Sequence, residues 1–271
     1  MLDEVLDAVQ KGVVVYDLAQ PLSRTLPSGN GYPFQHLLIR RHGDAVGPDG
    51  GSAASDLVMA PIHAGTHIDA LAHFSADGLL YGGISAEAAQ QGGVMNQLGI
   101  DTMAPLVCRG VLLDVAGTLG VDVLPPGHGI TIAELEDACE YGSVTPEKND
   151  AVLIRTGWAV HFDDRRAFLG GPDGLPGVGH DGAVWLADRG VTLCGSDTHA
   201  FEQIPSPWEG TAPVHVELLV RRGIYIVECL KLEELSKQRV FEFVFFLAPL
   251  KIVGGTGSHV RPVAVVSSTQ R

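Results

Sequence analysis

The sequence predicts a mixed-sheet α/β or α+β domain, and two observations support this class. In the second half of the chain, segments with helical spacing alternate with short apolar stretches, and a glycine commonly separates the two. Such alternation is typical of helices packed on a largely buried sheet. A Pro- and Gly-rich excursion near the N-terminus and two paired strands near the C-terminus add antiparallel character. The alternation is too irregular for eight barrel repeats, and no repeat of fixed period occurs.

The first elements are predicted from residues 2–51. Apolar residues at helical spacing over residues 2–9, followed by Gly12, indicate a short amphipathic helix. A strand is expected over residues 13–18. Residues 23–51 are rich in Pro and Gly around a short apolar stretch. We therefore expect a long loop or hairpin there, of the kind that covers a site.

The second half of the chain is predicted to hold three helix–strand units and two final strands. Thr131 and Glu134 have the spacing of a capping box and begin the first of these helices. The units are helix 131–141 with strand 151–156, helix 183–189 with strand 191–195, and helix 214–222 with strand 224–227, and the final strands are 241–247 and 260–266.

Charge and composition exclude several classes of protein. The chain has 18 basic and 32 acidic side chains and a net charge of −14, so its average field repels nucleic acid and anionic membranes. A hydrophobic fraction of 45% supports one domain over residues 1–271. The four cysteines are widely spaced, and neither a signal sequence nor a long apolar run occurs. These features predict a reduced, cytoplasmic protein with a small-molecule substrate.

One short segment contains the densest group of metal-ligating side chains. His63, His67 and His73 are three of the eleven histidines, and Asp69 lies among them. In an extended segment the side chains of His67 and Asp69, two residues apart, point to the same side. Gly65 permits a bend that brings His63 to that side. A helix beginning at Asp69 would then place His73 one turn later on the same face.

The residue types of this segment indicate a catalytic divalent cation. Two imidazoles and a carboxylate are ligands that Zn²⁺ and Mn²⁺ accept, and three protein ligands leave positions for water and substrate. A cation held by His63, His67 and Asp69 predicts hydrolysis, because a bound metal lowers the pKa of water to about 7. His73 is the natural proton-transfer group. A single histidine is more often a packed or surface residue, but this set has no evident packing purpose.

Two carboxylates at strand ends are further candidates. Glu228 ends the apolar run 224–228, and a carboxylate at such a depth is expected to be paired or metal-bound. The alternative is an edge-strand glutamate that faces water. Asp197 lies at the end of another predicted strand, and the same argument applies to it with less force. The Gly-rich loop 254–257 lacks the lysine and spacing of a phosphate loop, so a tight turn is expected there.

The segment His63-Ala-Gly-Thr-His67-Ile-Asp69-Ala-Leu71-Ala-His73 resembles a known signature. The signature His-x-Gly-Thr-His-x-Asp-x-Pro-x-His belongs to the cyclase-like metal hydrolases, which include bacterial kynurenine formamidase and isatin hydrolase. Leu71 replaces the usual proline. Other segments are similar to later landmarks of that family: Tyr16-Asp-Leu18, Arg155-Thr-Gly-Trp158, Gly195-Ser-Asp-Thr198, His215-x-x-Leu-Leu219 and Gly254-Gly-Thr-Gly-Ser-x-Val-Arg-Pro262.

The resemblance implies a swivelling β/β/α fold and hydrolysis of an amide, imide or lactone bond in a small, often aromatic substrate. It implies that His63, His67 and Asp69 bind Zn²⁺ or Mn²⁺ and that the last histidine of the motif transfers protons. In two-metal members, the equivalents of His215 and Glu228 help hold a second ion, and Asp69 bridges. In single-metal members they support the ligands from behind or act towards the substrate, so Glu228 is also a catalytic candidate. The resemblance favours a homodimer or homotetramer with Pro- and Gly-rich segments at the interfaces.

The substrate pocket is expected to be built from the excursion 23–51 and from residues at strand ends. Aromatic residues in such places are also commonly core residues. The family usually has Asn where this chain has Cys229 and often has Pro where it has His259, and it gives no role to His199. The pocket candidates are Phe34, His36, Phe74, Trp158 and Asp197.

Two other functions stay open from the sequence. Two histidines and a carboxylate also form the facial triad of non-haem iron oxygenases. Those sites usually take their second histidine from a distant strand of an all-β barrel, whereas here the three ligands lie in one short segment. The second alternative is a binding protein that kept the fold and lost catalysis. The complete set of metal-ligating residues argues against it.

Overall fold

A computed structural model describes residues 9–29, 31–207 and 209–268 of the chain. The strands in these ranges are β1 (Val13–Asp17), β2 (Gln35–Arg40), β3 (Ser55–Met59), β4 (His67–Asp69), β5 (Leu79–Leu80), β6 (Ile84–Ser85), β7 (Gln90–Gln91), β8 (Val94–Met95), β9 (Leu106–Asp114), β10 (Gly129–Ile130), β11 (Ala151–Arg155), β12 (Gly177–Val178), β13 (Leu193–Ser196), β14 (Tyr225–Glu228), β15 (Glu242–Leu247), β16 (Gly257–His259) and β17 (Val263–Ser267).

The helices are short, and Thr131 caps the longest of them in the predicted capping box with Glu134. The α-helices are α1 (Ala86–Ala89), α2 (Val115–Thr118), α3 (Ile132–Gly142), α4 (Arg165–Phe168), α5 (His180–Asp188), α6 (Pro213–His215) and α7 (Glu233–Lys237), α6 continues as a π-helical segment Val216–Arg222, and 3₁₀ turns lie at Tyr81–Gly83, Ile100–Thr102, Trp158–His161 and Gly171–Asp173. None of the described helices has the length and apolarity needed to cross a bilayer.

Nine strands form one mixed sheet in the order β1-β17-β15-β9-β11-β13-β14-β4-β16. The four neighbours β9, β11, β13 and β14 run parallel, and every other pairing in the sheet is antiparallel. Helix α3 packs on β9 and against α5, and α5 contacts the π-helical segment. The predicted class, a mixed sheet with helices packed on it, is confirmed.

The centre of the sheet is buried. The side chains of β11 from Ala151 to Ile154 and of β9 from Gly110 to Asp114 are buried, as expected for parallel strands covered on both faces. The antiparallel strand β15 alternates exposed and buried residues, so one of its faces is open to solvent. Helices thus cover the parallel half, where the strands that lead to the candidate site lie.

The strand β9 was not predicted, although it is the longest. Its run of apolar residues is interrupted by Arg109 and Gly110. Arg109 forms ion pairs with Asp150 and Glu242, each at 2.8 Å. A Cβ at position 110 would lie 2.1 Å from the ring of Phe243, so the glycine makes room for the neighbouring strand. Arg109 and Gly110 interrupt the apolar pattern that would have predicted this strand, and contacts with neighbouring segments explain both residues.

The other predicted strands and helices of the second half are present, with ends shifted by a few residues. The first strand and the hairpin in the N-terminal excursion are also present, as β1 and the pair β2–β3. Residues 2–8 of the predicted N-terminal helix lie outside the described residues, and residues 9–11, before Gly12, are helical. The helix expected to begin at Asp69 was wrong, because β4 ends there and a turn follows in which the His73 N–H donates to the Ala70 carbonyl.

Candidate active site

The register of three strands places the candidate site. The strand β14 ends at Glu228, and β4 runs antiparallel beside it with His67 opposite Glu228. On the other side of β4, β16 places Gly257 opposite Asp69. His215 reaches the same point from α6. The site therefore lies at the carboxyl end of the parallel strands, which is the usual ligand-binding edge of an α/β sheet.

Gly65 makes the bend that brings His63 back towards β4. Its φ of +64° lies in the left-handed region, which favours glycine. Its carbonyl accepts a hydrogen bond from His67 Nδ1 at 2.8 Å. With this bend, His63 Nδ1 lies 2.8 Å from Asp69 Oδ1. The predicted convergence of His63, His67 and Asp69 in space is therefore observed.

Gly65→Ala is expected to lower the free energy of unfolding by about 1–2 kcal/mol, because an L-residue is strained at this φ. Its Cβ would also lie 2.9 Å from Leu26 Cδ1. Urea denaturation measures the change. Gly78→Ala is the matched comparison that separates the two causes, since Gly78 also has a positive φ but an added Cβ there would meet no atom within 4 Å. A Gly65→Ala protein as stable as wild type would show that the bend does not require glycine.

Asp69 is the centre of the cluster. It is 1% exposed, and its carboxylate faces four histidines. Oδ1 lies 3.4 Å from His67 Nε2 and 4.0 Å from His73 Nε2, and Oδ2 lies 3.7 Å from His215 Nε2. Burial disfavours the charged carboxylate, but the charges of His73 and the hydrogen bonds from His63 and His67 outweigh it and hold the pKa of Asp69 well below its usual range.

Glu228 and His215 close the opposite side of the cluster. Glu228 is 5% exposed, with Oε2 at 3.4 Å from His67 Nε2 and Oε1 at 3.3 Å from His215 Nε2. The strand that carries Glu228 lies inside the sheet, so the alternative of an edge-strand residue facing water was wrong. Burial opposes the charge on His215, but hydrogen bonds to Glu202 and Glu228 raise the pKa of His215 to about 10.

Glu202 is a site residue that sequence reasoning missed. It is 1% exposed and contacts His215 Nδ1 through Oε1. It follows His199 in a segment without regular structure, and no pattern in the sequence marks it as buried. The available signal is the strand end at Asp197, because residues that follow a parallel strand lie at the same edge of the sheet as Glu228.

His73 lies against His63 on the open side of the cluster. The two rings are stacked with centroids 3.8 Å apart and an interplanar angle of 20°. Burial, together with the charges of His63 and His215, lowers the pKa of His73 to about 4. His73 is therefore neutral at pH 7 and able to accept a proton. The turn after β4 places it near Asp69 without the helix that was expected.

The donor set fits a divalent cation. Because His67 Nδ1 donates to a carbonyl, His67 Nε2 is the ring nitrogen that a cation could bind, and this atom is buried without a hydrogen-bond partner. Asp69 Oδ2 is buried without a partner as well. Unpartnered buried polar atoms cost about 1–3 kcal/mol each, and a shared cation would satisfy both. In the described ranges, ligand atoms converge within 4.8 Å in two groups, His63, His67 and Asp69, and Asp69, His73 and His215.

The predicted pocket residues lie at different distances from this cluster. The ring of Phe74 is 5.2 Å from that of His215, beside the cluster. Phe34 and Trp158 are buried in a small apolar group with Cys229. His36 lies on the exposed hairpin, with Nε2 2.6 Å from Asp56 Oδ2.

Asp197 is fully buried, and its carboxylate holds the end of β11. Oδ1 accepts from the N–H and the hydroxyl of Thr156, at 2.9 and 2.7 Å, and Oδ2 accepts from the N–H of Gly157 at 2.7 Å. Burial raises the pKa of Asp197 to about 6. In this chain Asp197 therefore supports the loop that carries Trp158.

Three residues without an assigned role lie beside the ligands. His259 stands opposite His67 in the register of β16, and its Nε2 is buried without a partner. Nδ1 of His199 is likewise buried and unpartnered, and burial lowers the pKa of both imidazoles. Cys229 has a φ of +56° and donates its N–H to the Thr198 carbonyl. These residues form the wall around the cluster, and the solvated alternative for His259 does not hold.

A mixed α/β sheet with a buried histidine–carboxylate cluster at its carboxyl edge defines the class: an α/β protein with a candidate divalent-metal centre. Residues 16–203, more than half of the chain, match the family model Cyclase, described as "Putative cyclase". The chain belongs to this cyclase family. The resemblance predicted from the His63–His73 motif is thereby confirmed.

Individual relatives match over nearly the whole chain. Kynurenine formamidase of Paracidovorax citrulli is 26% identical over 253 residues, which are 92% of this chain and 95% of the relative. A crystal structure described as a novel cyclase has a TM-score of 0.86 at 27% identity, covering 97% of this chain and 91% of the other. Isatin hydrolase A from Ralstonia solanacearum has a TM-score of 0.76 at 27% identity, covering 98% and 97%.

Proposed function

We propose that the chain is a metal-dependent hydrolase that opens the C–N bond of a small linear or cyclic amide. The observation that carries the proposal is the pair of buried, unpartnered ligand atoms, His67 Nε2 and Asp69 Oδ2, at the point where three strands meet. A cluster of this composition without a cation would leave both atoms unsatisfied.

The names of two relatives support the bond type. One relative is a kynurenine formamidase and another is an isatin hydrolase. N-formylkynurenine and isatin both contain an amide nitrogen attached to an aromatic ring. An amide of a small aromatic compound is therefore the first substrate class to test, and imides and lactones, which are opened by the same attack on a carbonyl carbon, come next.

His63, His67 and Asp69 would hold the cation, with Zn²⁺ or Mn²⁺ as the metals that suit two imidazoles and a carboxylate. A divalent cation bound there supplies Lewis-acid polarisation of a carbonyl and of water. His215 and Glu228 face the same space from the other side, at 3.3 Å from each other. They would contact the substrate if one ion were bound, or would help to hold a second ion.

Proton transfer is assigned to His73. Its imidazole is neutral at pH 7, because burial lowers its pKa to about 4, and it is partly open to solvent. It can accept the proton of the attacking water and deliver it to the leaving nitrogen, which must be protonated before the amine departs. Glu228, the second carboxylate of the cluster, is expected to assist this proton transfer.

The substrate is expected to lie on the open side of the cluster, against Phe74. An aromatic ring of the substrate would stack on Phe74, which is half-buried beside His73 and His215. Phe34 and Trp158 form the apolar floor behind Cys229. His36 would contact the substrate only if the hairpin β2–β3 closed over the cluster. Asp197 would act indirectly, by holding the loop that carries Trp158.

The experiment is a substrate screen with the protein loaded with Zn²⁺ or Mn²⁺ and kept free of oxygen. N-formylkynurenine, isatin, a cyclic imide and a lactone represent the four bond types. Hydrolysis of an amide that disappears on chelation and returns with either metal is the expected result. Turnover that appears only in a parallel aerobic assay with Fe²⁺ and a co-substrate would instead identify an oxygenase. Metal binding without turnover of any compound would identify a binding protein.

We expect a homodimer or homotetramer in which the hairpin β2–β3 is covered by a second copy. Both strands are exposed along their whole length, and a two-stranded hairpin is marginally stable alone. A group of exposed apolar side chains of this size is typical of an interface, and symmetric homo-oligomers are the commonest assemblies. The exposed apolar side chains of the hairpin, 44–63% accessible, are Leu37, Leu38, Ile39, Leu57, Val58 and Met59.

Ile39→Glu is therefore expected to shift the protein to monomer, which sedimentation velocity measures directly. Val253→Glu is the matched control, because Val253 is 77% exposed and lies outside the hairpin. A monomeric wild type, or an Ile39→Glu protein with unchanged assembly, would contradict the assignment.

The redox state of the cysteines agrees with a reducing compartment. All four cysteines are free, and Cys194 and Cys229 are buried while Cys108 and Cys139 are half-buried. Burial raises the pKa of each of these thiols, so they are unreactive at neutral pH. We propose the cytoplasm as the place of action.

A further inference from the structure

We propose that Thr256 and Glu202 are positioning residues that select which ring nitrogen His63 and His215 present to the metal-binding cluster. The inference rests on the cation of the proposed function and extends it to residues outside the ligand set. An imidazole has two nitrogens, and only the one without a proton binds a metal. A hydrogen-bond acceptor on the far side of the ring therefore decides the ligand atom.

Thr256 holds His63. His63 Nδ1 faces Asp69 Oδ1 at 2.8 Å, and Nε2 on the other side of the ring lies 2.9 Å from Thr256 Oγ1. The carbonyl of Thr256 also accepts the N–H of Ala70 at 2.9 Å, so the threonine is tied to the end of β4. When a cation replaces the proton between Nδ1 and Asp69, Nε2–H can donate to this hydroxyl, and His63 then presents Nδ1 to the cluster.

Glu202 holds the ring of His215 with the nitrogens reversed relative to His63, so that Nε2 rather than Nδ1 faces the cluster. Its Oε1 contacts His215 Nδ1, while His215 Nε2 points to Glu228 and Asp69. The main-chain N–H groups of Val214 and His215 donate to the same carboxylate, each at 3.2 Å. Three donors fix the carboxylate, so Nε2 is the nitrogen that His215 directs at the cluster.

His67 shows the same arrangement with a backbone acceptor, since its Nδ1 donates to the Gly65 carbonyl and leaves Nε2 for the cluster. All three rings thus have an acceptor on the side away from Asp69. The set contributes one Nδ1 and two Nε2 atoms, and each choice is enforced by a different chemical group: a hydroxyl, a carboxylate and a carbonyl.

The loop 254–257 gains a role beyond a tight turn. A Cβ on Gly257 would lie 2.6 Å from the Ile68 carbonyl oxygen and 3.0 Å from His63 Cε1. Glycine at this position therefore lets β16 approach both β4 and the His63 ring, which brings Thr256 within hydrogen-bond distance.

The test measures Zn²⁺ affinity of the full-length protein by competition with a chromophoric chelator. Thr256→Val removes the hydroxyl at similar size, and Zn²⁺ binding is expected to weaken about 10–100-fold. Thr256→Ser restores the hydroxyl and is expected to bind like wild type. Thr118→Val is the matched control, because Thr118 Oγ1 donates to the Asp114 carbonyl in α2, away from the ligands.

Glu202→Gln and Glu202→Ala are the second pair of variants whose Zn²⁺ affinity is compared. The glutamine oxygen still accepts the His215 N–H, so Gln is expected to lose less affinity than Ala. The absorption spectrum of the Co²⁺-loaded protein reports the ligand set without reference to activity, and it is expected to change in Thr256→Val and Glu202→Ala and to be retained in Thr256→Ser.

Equal Zn²⁺ affinity of wild type and Thr256→Val would overturn the inference while leaving the proposed function intact. A Thr256→Ser protein as weak as Thr256→Val would also overturn it, because the loss would then come from packing. Failure of the proposed function is distinguishable: a wild type that binds no Zn²⁺ sinks both, whereas a wild type that binds Zn²⁺ with these variant effects and hydrolyses no amide sinks the proposed function alone.

Discussion

Asp69→Ala is expected to purify without a divalent cation and to lose amide hydrolysis. Asp69 is the residue shared by both groups of converging ligand atoms, and its carboxylate lies within 4.0 Å of His63, His67, His73 and His215. Its removal leaves the imidazoles without the negative charge that a divalent cation needs nearby. The loss of Lewis-acid stabilisation, several kcal/mol, corresponds to a rate about a thousandfold lower or more.

Elemental analysis of the purified protein and the rate on the substrate found by the screen measure this change. Asp181→Ala is the matched control, because Asp181 is exposed and also lies beside a histidine, with Oδ1 3.5 Å from His180 Nδ1. A wild-type metal content in Asp69→Ala would show that Asp69 is not a ligand.

His73→Ala is expected to keep the cation held by His63, His67 and Asp69 and to lower kcat about 10²–10⁴-fold, the usual contribution of a general acid or base. The reason is the position of His73, stacked on His63 at the open side of the cluster and neutral at pH 7. The exposed His180 offers the matched substitution His180→Ala, for which no change is expected.

The number of metal ions per chain decides between two roles for His73. Asp69, His73 and His215 also converge within 4.8 Å, so His73 has the position of a ligand to a second ion. A fall from two ions to one in His73→Ala would assign it as a ligand and contradict the proton-transfer role. An unchanged metal content with a large loss of kcat agrees with proton transfer.

Part of the site was predictable because it depends on near neighbours in the chain. The spacing of His67 and Asp69 in an extended segment places both on one side, and the left-handed φ of Gly65 brings His63 to the same point. Burial of Glu228 was predictable from the apolar run before it. The capping box of Thr131 and Glu134, and the alternation of helices and strands, are local patterns as well, and the structure confirms them.

The contacts that complete the site depend on pairings between distant segments. Glu202 meets His215 because a loop folds back over α6, and Thr256 meets His63 across 193 positions of sequence. The helix expected at Asp69 fails for the same reason: β4 is paired on both sides, and its end is set by the Thr256 carbonyl. The strand β9 was hidden by a charge and a glycine whose partners lie on β11 and β15 or beside them.

The sequence by itself determined the class of fold, the ligand motif and its family, since these follow from residue type and short-range spacing. Only the tertiary structure decided which strand lies beside β4, which carboxylate supports His215 and which nitrogen of each imidazole faces Asp69. The physical reason is that hydrogen bonds and ion pairs act over a few ångströms in space, and the side chains that come this close are chosen by strand register rather than by distance along the chain.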